Sequence, residues 1–382
     1  MFAKNRRLFY NIAFFQGMVF YGSIATLYRQ ASGLSVFEIT WIESISLVLM
    51  LLLEIPWGYA ADKIGYKRTI VICNFLYCAS KLVFWKADGF FAFLAERLML
   101  SVVLSGLSGC DSAYLYGNVG DLKPKKVFAV YSFMGTAGLL AAAAAFSLFL
   151  SANFRLTALM TFYAYAVAFG LSLLLSEIKP DAAAREKQAL KPAALFKTVV
   201  GDRRFLRYLV SCALLVETNQ TVTVFLSQVQ YQKSGIPIKW FGYLYLALTC
   251  SGMSALWAAR LGRGMRERGL FLLAGAACLV LAFTSRPLAS VAGILLVRIA
   301  GSLLYPLMEE RKNRQVAHAS RAAVLSGYSM VMSLTAVLTN LLFGWLTDRD
   351  IGLAMLFGAA LNIAGGLLLL PYSRRKSGEA EA

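Results

Sequence analysis

Twelve apolar stretches, most of them close to membrane-spanning length, leave this chain few ways to fold. They lie near 8–30, 36–60, 69–87, 90–120, 127–150, 154–177, 204–232, 238–260, 269–285, 287–308, 322–347 and 350–371. A hydrocarbon core about 30 Å thick is crossed by about 20 apolar residues in an α-helix. Within that core each backbone N–H and C=O must find its partner inside the structure, which for runs of this kind means helices. The chain is 59% hydrophobic and 15% charged over 382 residues, too little polar surface for a soluble domain of that size. The expected fold is an all-α integral membrane protein with twelve transmembrane helices.

Most gaps between the stretches are short enough to be turns. One is longer: SEIKPDAAAREKQALKPAALFKTVVGDRR, from residue 176 onward, is polar, charged and holds two prolines. It is expected to divide the chain into two pseudo-symmetric six-helix bundles, residues 1–177 and 204–382, with a cytoplasmic linker over 178–203. The first apolar run follows a basic start but is longer than the core of a signal peptide, and no small-residue cleavage site follows it. It is read as a retained first membrane helix.

The formal net charge is +18, and its distribution sets the expected topology. Of the 38 Lys and Arg residues, 28 fall at the two termini and in alternate connections, which places both termini in the cytoplasm of a plasma (inner) membrane protein. Contact with anionic lipid then accounts for the charge, and nucleic acid is not an expected partner. Arg29 and Lys81 are counted with the outer ends, while Arg97 and Arg298 fall inside helices.

The polar run GYAADKIGYKR, residues 58–68, separates the second and third stretches and is expected to be a cytoplasmic turn. Gly58 lets a neighbouring helix approach, and Gly65 permits a tight turn. Asp62 is placed to cap the start of the third helix. Lys63, Lys67 and Arg68 hold the turn at the inner surface. The spacing of Gly58, Asp62, Lys63, Gly65 and Lys67 resembles the loop 2–3 signature of the major facilitator superfamily, G-x-x-x-D-[RK]-x-G-x-[RK]. That resemblance implies two six-helix halves and a loop that latches the cytoplasmic side in the outward-facing state. Asp121, at the inner end of the fourth helix, matches by position an acid that joins the latch. Glu54 lies close to the loop and is expected to be a gating partner.

A second resemblance lies in ERLMLSVVLSG. Its Arg97 is similar to the arginine of the R-x-x-x-G motif that drug exporters of the superfamily carry in helix 4 and that is linked to proton coupling. Ser101 stands where that motif has glycine, and the G-x-x-x-G-P-x-x-G-G pattern of exporter helix 5 is missing. GCDSAYLY, residues 109–116, resembles a run found in a broad prokaryotic branch of the superfamily.

An ionisable side chain at mid-bilayer costs at least about 2.5–3.5 kcal/mol on insertion scales, so each one needs a reason. Glu217 lies mid-way along the seventh stretch, Arg298 along the tenth, and Arg97 and Asp111 along the fourth. Helices 1, 4, 7 and 10 line the central cavity of the family resembled. The implied substrate cavity comprises Glu217, Arg298, Asn219, Gln220, Gln16, Tyr21, Tyr114 and Tyr305, with Glu217 and Arg298 facing one space at similar depth. The alternative is a set of buried ion pairs that only lock helices together. Asp111 shares a helix face with Arg97, within about 40°. These two are the expected proton-coupling pair, with Glu43 as a third candidate.

The six cysteines lie in apolar runs and are read as packing residues, and the lone histidine, His318, lies in a loop. No nucleophile constellation, metal-ligand spacing or GxxxxGK[ST] loop occurs, so neither an enzyme, a metal, a cofactor nor ATP is expected. The expectation is a monomeric secondary active transporter whose partners are a small molecule, protons and the bilayer. It would move a small amphipathic organic solute by proton-coupled efflux. Uptake symport and lipid handling are alternatives, and a non-transporting sensor is a further one.

Overall fold

The computed structural model describes residues 2–177, 201–260, 266–315 and 321–369. Most of the expected linker, 178–200, and His318 lie outside the described residues. So do the side-chain positions of three expected latch residues, Glu54, Gly58 and Asp62.

The described residues form fourteen α-helices: α1 Phe2–Gly17, α2 Ala25–Ala31, α3 Val36–Ile64, α4 Tyr66–Lys86, α5 Gly89–Gly117, α6 Pro124–Ala145, α7 Phe154–Leu173, α8 Arg203–Gln220, α9 Ser227–Lys233, α10 Phe241–Ser251, α11 Arg266–Phe283, α12 Pro287–Arg314, α13 Arg321–Arg349 and α14 Ile351–Leu368. A broken turn after Gly17 separates α1 from α2, and a π-helical turn, Thr221–Leu226, links α8 to α9. With those pairs counted as single rods, the described residues give twelve rods. Ten are long and apolar enough to cross a membrane. The other two fall short for local reasons. α10 keeps α-helical winding for only 11 residues before tightening into a 3-10 segment, Gly252–Arg260. α11 has 18 residues, and its first turn is spent on Arg266, Glu267 and Arg268.

The run GYAADKIGYKR is not a turn. α3 continues through Ile64 and α4 starts at Tyr66, so the chain reverses at Gly65 alone. Its φ of +95° with ψ of 150° is a conformation open to glycine and strained for other residues. Asp62 therefore belongs to the last turn of α3, and the N-cap of α4 is Gly65.

The chain folds as two compact units. The first comprises Met1–Leu34, Ile45–Glu186 and Ile238–Leu246, and the second Ser35–Ser44, Lys187–Pro237 and Ala247–Ala382. Two helices are thus divided: α3 begins in the second unit and continues in the first, and α10 begins in the first and ends in the second.

In the first unit α1, α4, α5 and α7 meet around Phe9, Ile12, Ile70, Cys73, Val103, Tyr114 and Ala168. α6 lies against α1 at Gly138, where a Cβ would run into the Phe14 carbonyl. Such backbone contact is how membrane helices associate when lipid removes the hydrophobic drive between them. In the second unit Phe205, Tyr208, Leu209, Phe271, Leu304 and Tyr328 form the corresponding core of α8, α11, α12 and α13. Four of the six cysteines are buried; Cys78 is half-buried and Cys250 exposed, so the packing role does not extend to Cys250.

Candidate functional site

A buried polar cluster of the first unit lies where α2, α4 and α5 meet. Glu96, fully buried, stands between two cations: Arg29 at 3.8 Å and Lys81 at 3.5 Å. Lys81 is only 4% exposed, and its ammonium donates to the Tyr21 hydroxyl at 3.0 Å. The faces of Tyr77, Tyr165 and Tyr21 surround it at 5.2, 5.3 and 5.7 Å. Arg29 rests on the faces of Phe84 and Phe93. Tyr21 stacks on Phe84 with ring centres 4.0 Å apart. Arg97, half-exposed, is within electrostatic range of the Tyr21 hydroxyl.

Sequence reasoning missed this cluster. The sequence counts Lys81 and Arg29 with the outer ends and gives Glu96, beside Arg97, no place in the cavity. The available signal was Lys81 itself, inside the apolar run CASKLVFW with no acid near it in sequence. Tyr21, expected in the cavity, is buried as the partner of Lys81.

Asp111 lies on α5, half-buried, and accepts a hydrogen bond from the Tyr131 hydroxyl of α6 at 3.1 Å. Among the described residues no cation stands at ion-pair distance from it. The expected pairing with Arg97 does not occur. Both lie on the continuous helix α5, and fourteen residues at 1.5 Å each separate them by about 21 Å along the axis. A shared face is not a shared depth.

Gln16 donates from its amide to Asn74 Oδ1 at 2.8 Å, and its carbonyl accepts from Tyr165 at 2.6 Å. Tyr114 is fully buried and donates to the Ser176 carbonyl at 2.8 Å. It belongs to the core of the first unit. The same end of the unit is tied by Asn5, which donates to Asn118 and accepts from the Ser176 N–H, and by Arg6, which donates to the carbonyls of Asn118 and Val119.

At the reversal between α3 and α4, the carboxylate beside the start of α4 is Glu177. It accepts from the Lys67 N–H at 3.0 Å, and its oxygens lie 3.2 Å from where a Cβ on Gly65 would sit. A carboxylate there satisfies a free N–H and the positive end of the helix dipole. That is the job expected of Asp62. Of the other latch residues, Lys63, Arg68 and Asp121 are exposed and Lys67 is half-buried.

In the second unit Glu217 is half-buried on α8. Among the described residues, the charged side chain in electrostatic range of it is Glu43, a second carboxylate. Arg298, on α12, lies against the backbone at Gly252, within 3.1 Å of where a Cβ there would sit. Asn219 is 8% exposed and packs on Gly301 of α12. Gln220 and Tyr305 are exposed. Thr221, in the π-helical turn, donates to Asn340 Oδ1 of α13 at 2.7 Å.

The described residues form an all-helical set of membrane-spanning rods with carboxylates and cations held inside them, the arrangement of a multi-pass membrane protein. The chain belongs to the Major Facilitator Superfamily, whose family model matches residues 8–309. The fold is similar to that of the nucleoside transporter NupG (D323A mutant), at TM-score 0.79 and 16% identity, over 96% of this chain and 99% of that one. It is similar to a bacterial homologue of the human lysosomal transporter Spinster, in an inward-facing and occupied conformation, at TM-score 0.76 and 13% identity, over 98% and 96% of the two chains. A third similar structure is the peptide transporter POT (E310Q mutant), at TM-score 0.72 and 14% identity, over 98% and 94%. Among curated proteins no sequence relative matches.

Proposed function

We propose that this chain is a proton-coupled secondary transporter that exports a small amphipathic organic solute from the cytoplasm by alternating access. It would work as a monomer in the inner membrane with both termini in the cytoplasm. The observation that carries the proton reading is Asp111, an acid on a membrane helix whose hydrogen-bond partner is the neutral hydroxyl of Tyr131. A carboxylate with no fixed counter-charge in apolar surroundings is stabilised by taking up a proton, so its charge follows its exposure to water. A conformational change that hydrates and dehydrates Asp111 in turn would carry that proton across. Glu217, with Glu43 as its charged neighbour, is the second acid available to a substrate or proton. Export is the direction favoured by the likeness of Arg97 to the exporter arginine. Transport of small organic molecules agrees with the nucleoside and peptide transporters that share the fold.

The test uses proteoliposomes with an imposed pH gradient and ethidium, uridine and benzoate as probe solutes. At least one probe should accumulate with the gradient in wild type. In Asp111→Asn, uphill accumulation should vanish while downhill exchange of the same probe remains. Gradient-driven accumulation by Asp111→Asn with unchanged pH dependence would remove Asp111 from the coupling role. A wild type indifferent to the gradient with every probe would remove proton coupling itself.

A further inference from the structure

We infer that Arg29 and Lys81 form a recognition site for the carboxylate of an organic anion, with Glu96 as the group that occupies it when no anion is bound. The inference names a substrate class for the transporter proposed above and rests on that reading.

The charges do not balance. Arg29 and Lys81 bring two positive charges, and among the described residues the carboxylate at ion-pair distance from them is Glu96. Each ion taken out of water loses several kcal/mol of hydration, which only close and complete pairing restores. Here the pairing is loose. Contacts of 3.8 and 3.5 Å exceed the 2.7–2.9 Å typical of a charge-assisted hydrogen bond. Glu96 Oε2 is buried and accepts no hydrogen bond. A cluster built only to lock helices would bring the carboxylate into close contact with both cations. Here the Lys81 ammonium donates to Glu96 Oε1 only at the outer limit of hydrogen-bonding distance, 3.5 Å, and Arg29 stands 3.8 Å from Oε2.

Ring faces lie against both cations. Phe84 and Phe93 lie against Arg29, and Tyr21, Tyr77 and Tyr165 against Lys81. Aromatic faces stabilise a buried cation without cancelling its charge, so the positive field remains for an incoming anion. The same rings offer an apolar surface to the body of an organic acid. A mineral anion would gain nothing from them. Access is graded: the Arg29 side chain is 12% exposed, Lys81 4% and Glu96 0%. Arg29 is thus the edge at which an anion arrives, and opening of the unit would let its carboxylate displace Glu96 from the two cations.

The test measures thermal unfolding of the full-length purified protein in detergent, with no gradient present. Benzoate or hexanoate should raise the midpoint saturably, and benzamide and benzylamine should not. Lys81→Met should weaken the apparent carboxylate affinity by about tenfold or more, the loss expected for one hydrogen bond to a charged group. Glu96→Gln should bind the carboxylates at least as tightly as wild type, since it removes their competitor. Equal shifts from benzoate and benzamide, no shift from either carboxylate, or loss of binding in Glu96→Gln would overturn the inference. A shift produced by added phosphatidylglycerol but by neither carboxylate would overturn it too, and would mark the cluster as a lipid-headgroup site. The wild-type comparison of acid with amide decides the matter even if Lys81→Met fails to accumulate. Because binding is read at equilibrium, failure of proton coupling leaves this result intact, and failure of carboxylate binding leaves the gradient experiment intact.

Discussion

A single glycine makes the reversal that the polar run 58–68 announces. Gly65 combines a φ of +95° with a neighbouring carboxylate at 3.2 Å from its missing Cβ. A side chain there would meet backbone strain and the Glu177 oxygens together, so Gly65→Ala should destabilise the protein by about 1–3 kcal/mol. The thermal midpoint of the purified variant checks this; an unchanged midpoint would mean that the turn relaxes freely. Gly65 was legible because its constraint is local. Glu177 was not, because which acid reaches the start of α4 depends on how the helix ending near Leu173 returns to it. The same limit explains the Asp111 error: the helical repeat fixed the shared face, but direct contact also needs shared depth. The Arg29–Glu96–Lys81 cluster draws on three helices, and no spacing within one segment encodes it.

At the scale of elements, the positions of the membrane helices were legible in hydropathy and their ends were not. The charged residues of the 58–68 run look like a loop, yet they lie on helices: Asp62 and Lys63 fall in the last turn of α3 and Lys67 and Arg68 in the first turn of α4, since helical winding is set by backbone hydrogen bonds and not by side-chain polarity. How α1 and α6 pack was also hidden, though the glycines that permit it are in plain view. Gly17 and Gly138 each bring one helix against a backbone carbonyl of the other: Gly17 against Gly135 and Gly138 against Phe14. Gly138→Leu must push the two helices apart. It should cost about 1–3 kcal/mol, the usual price of overpacking, and lower the thermal midpoint more than Gly170→Leu, whose Cβ would meet no atom. Equal effects at the two sites would show that α1 and α6 separate without penalty.

The whole molecule adds what neither residues nor helices contain: two helices whose starts and ends belong to different compact units. The start of α3 is held within the second unit by Asp348 of α13, which accepts from the Val36 and Phe37 N–H groups at 2.8 and 3.0 Å. Thr40 packs against Gly344 in the same contact, and the Ser44 hydroxyl donates to the Val337 carbonyl at 3.4 Å. The start of α10 is held in the first unit by Ser147, whose hydroxyl accepts from the Tyr243 N–H at 3.2 Å. The alternating access proposed above requires such attachments to release without unfolding the helices, which favours small polar contacts over deep apolar ones. Asp348 supplies a charge at a helix start, a contribution of about 0.3–1 kcal/mol, up to about 2 in partly buried geometry. Asp348→Asn keeps the shape and removes the charge. The first amides of α3 should then exchange with deuterium about two- to fivefold faster, as expected from that energy. Exchange over α4 should stay unchanged, because none of these contacts touches it. Faster exchange in both helices would mean general loosening, and unchanged exchange in α3 would mean that Asp348 does not hold its start.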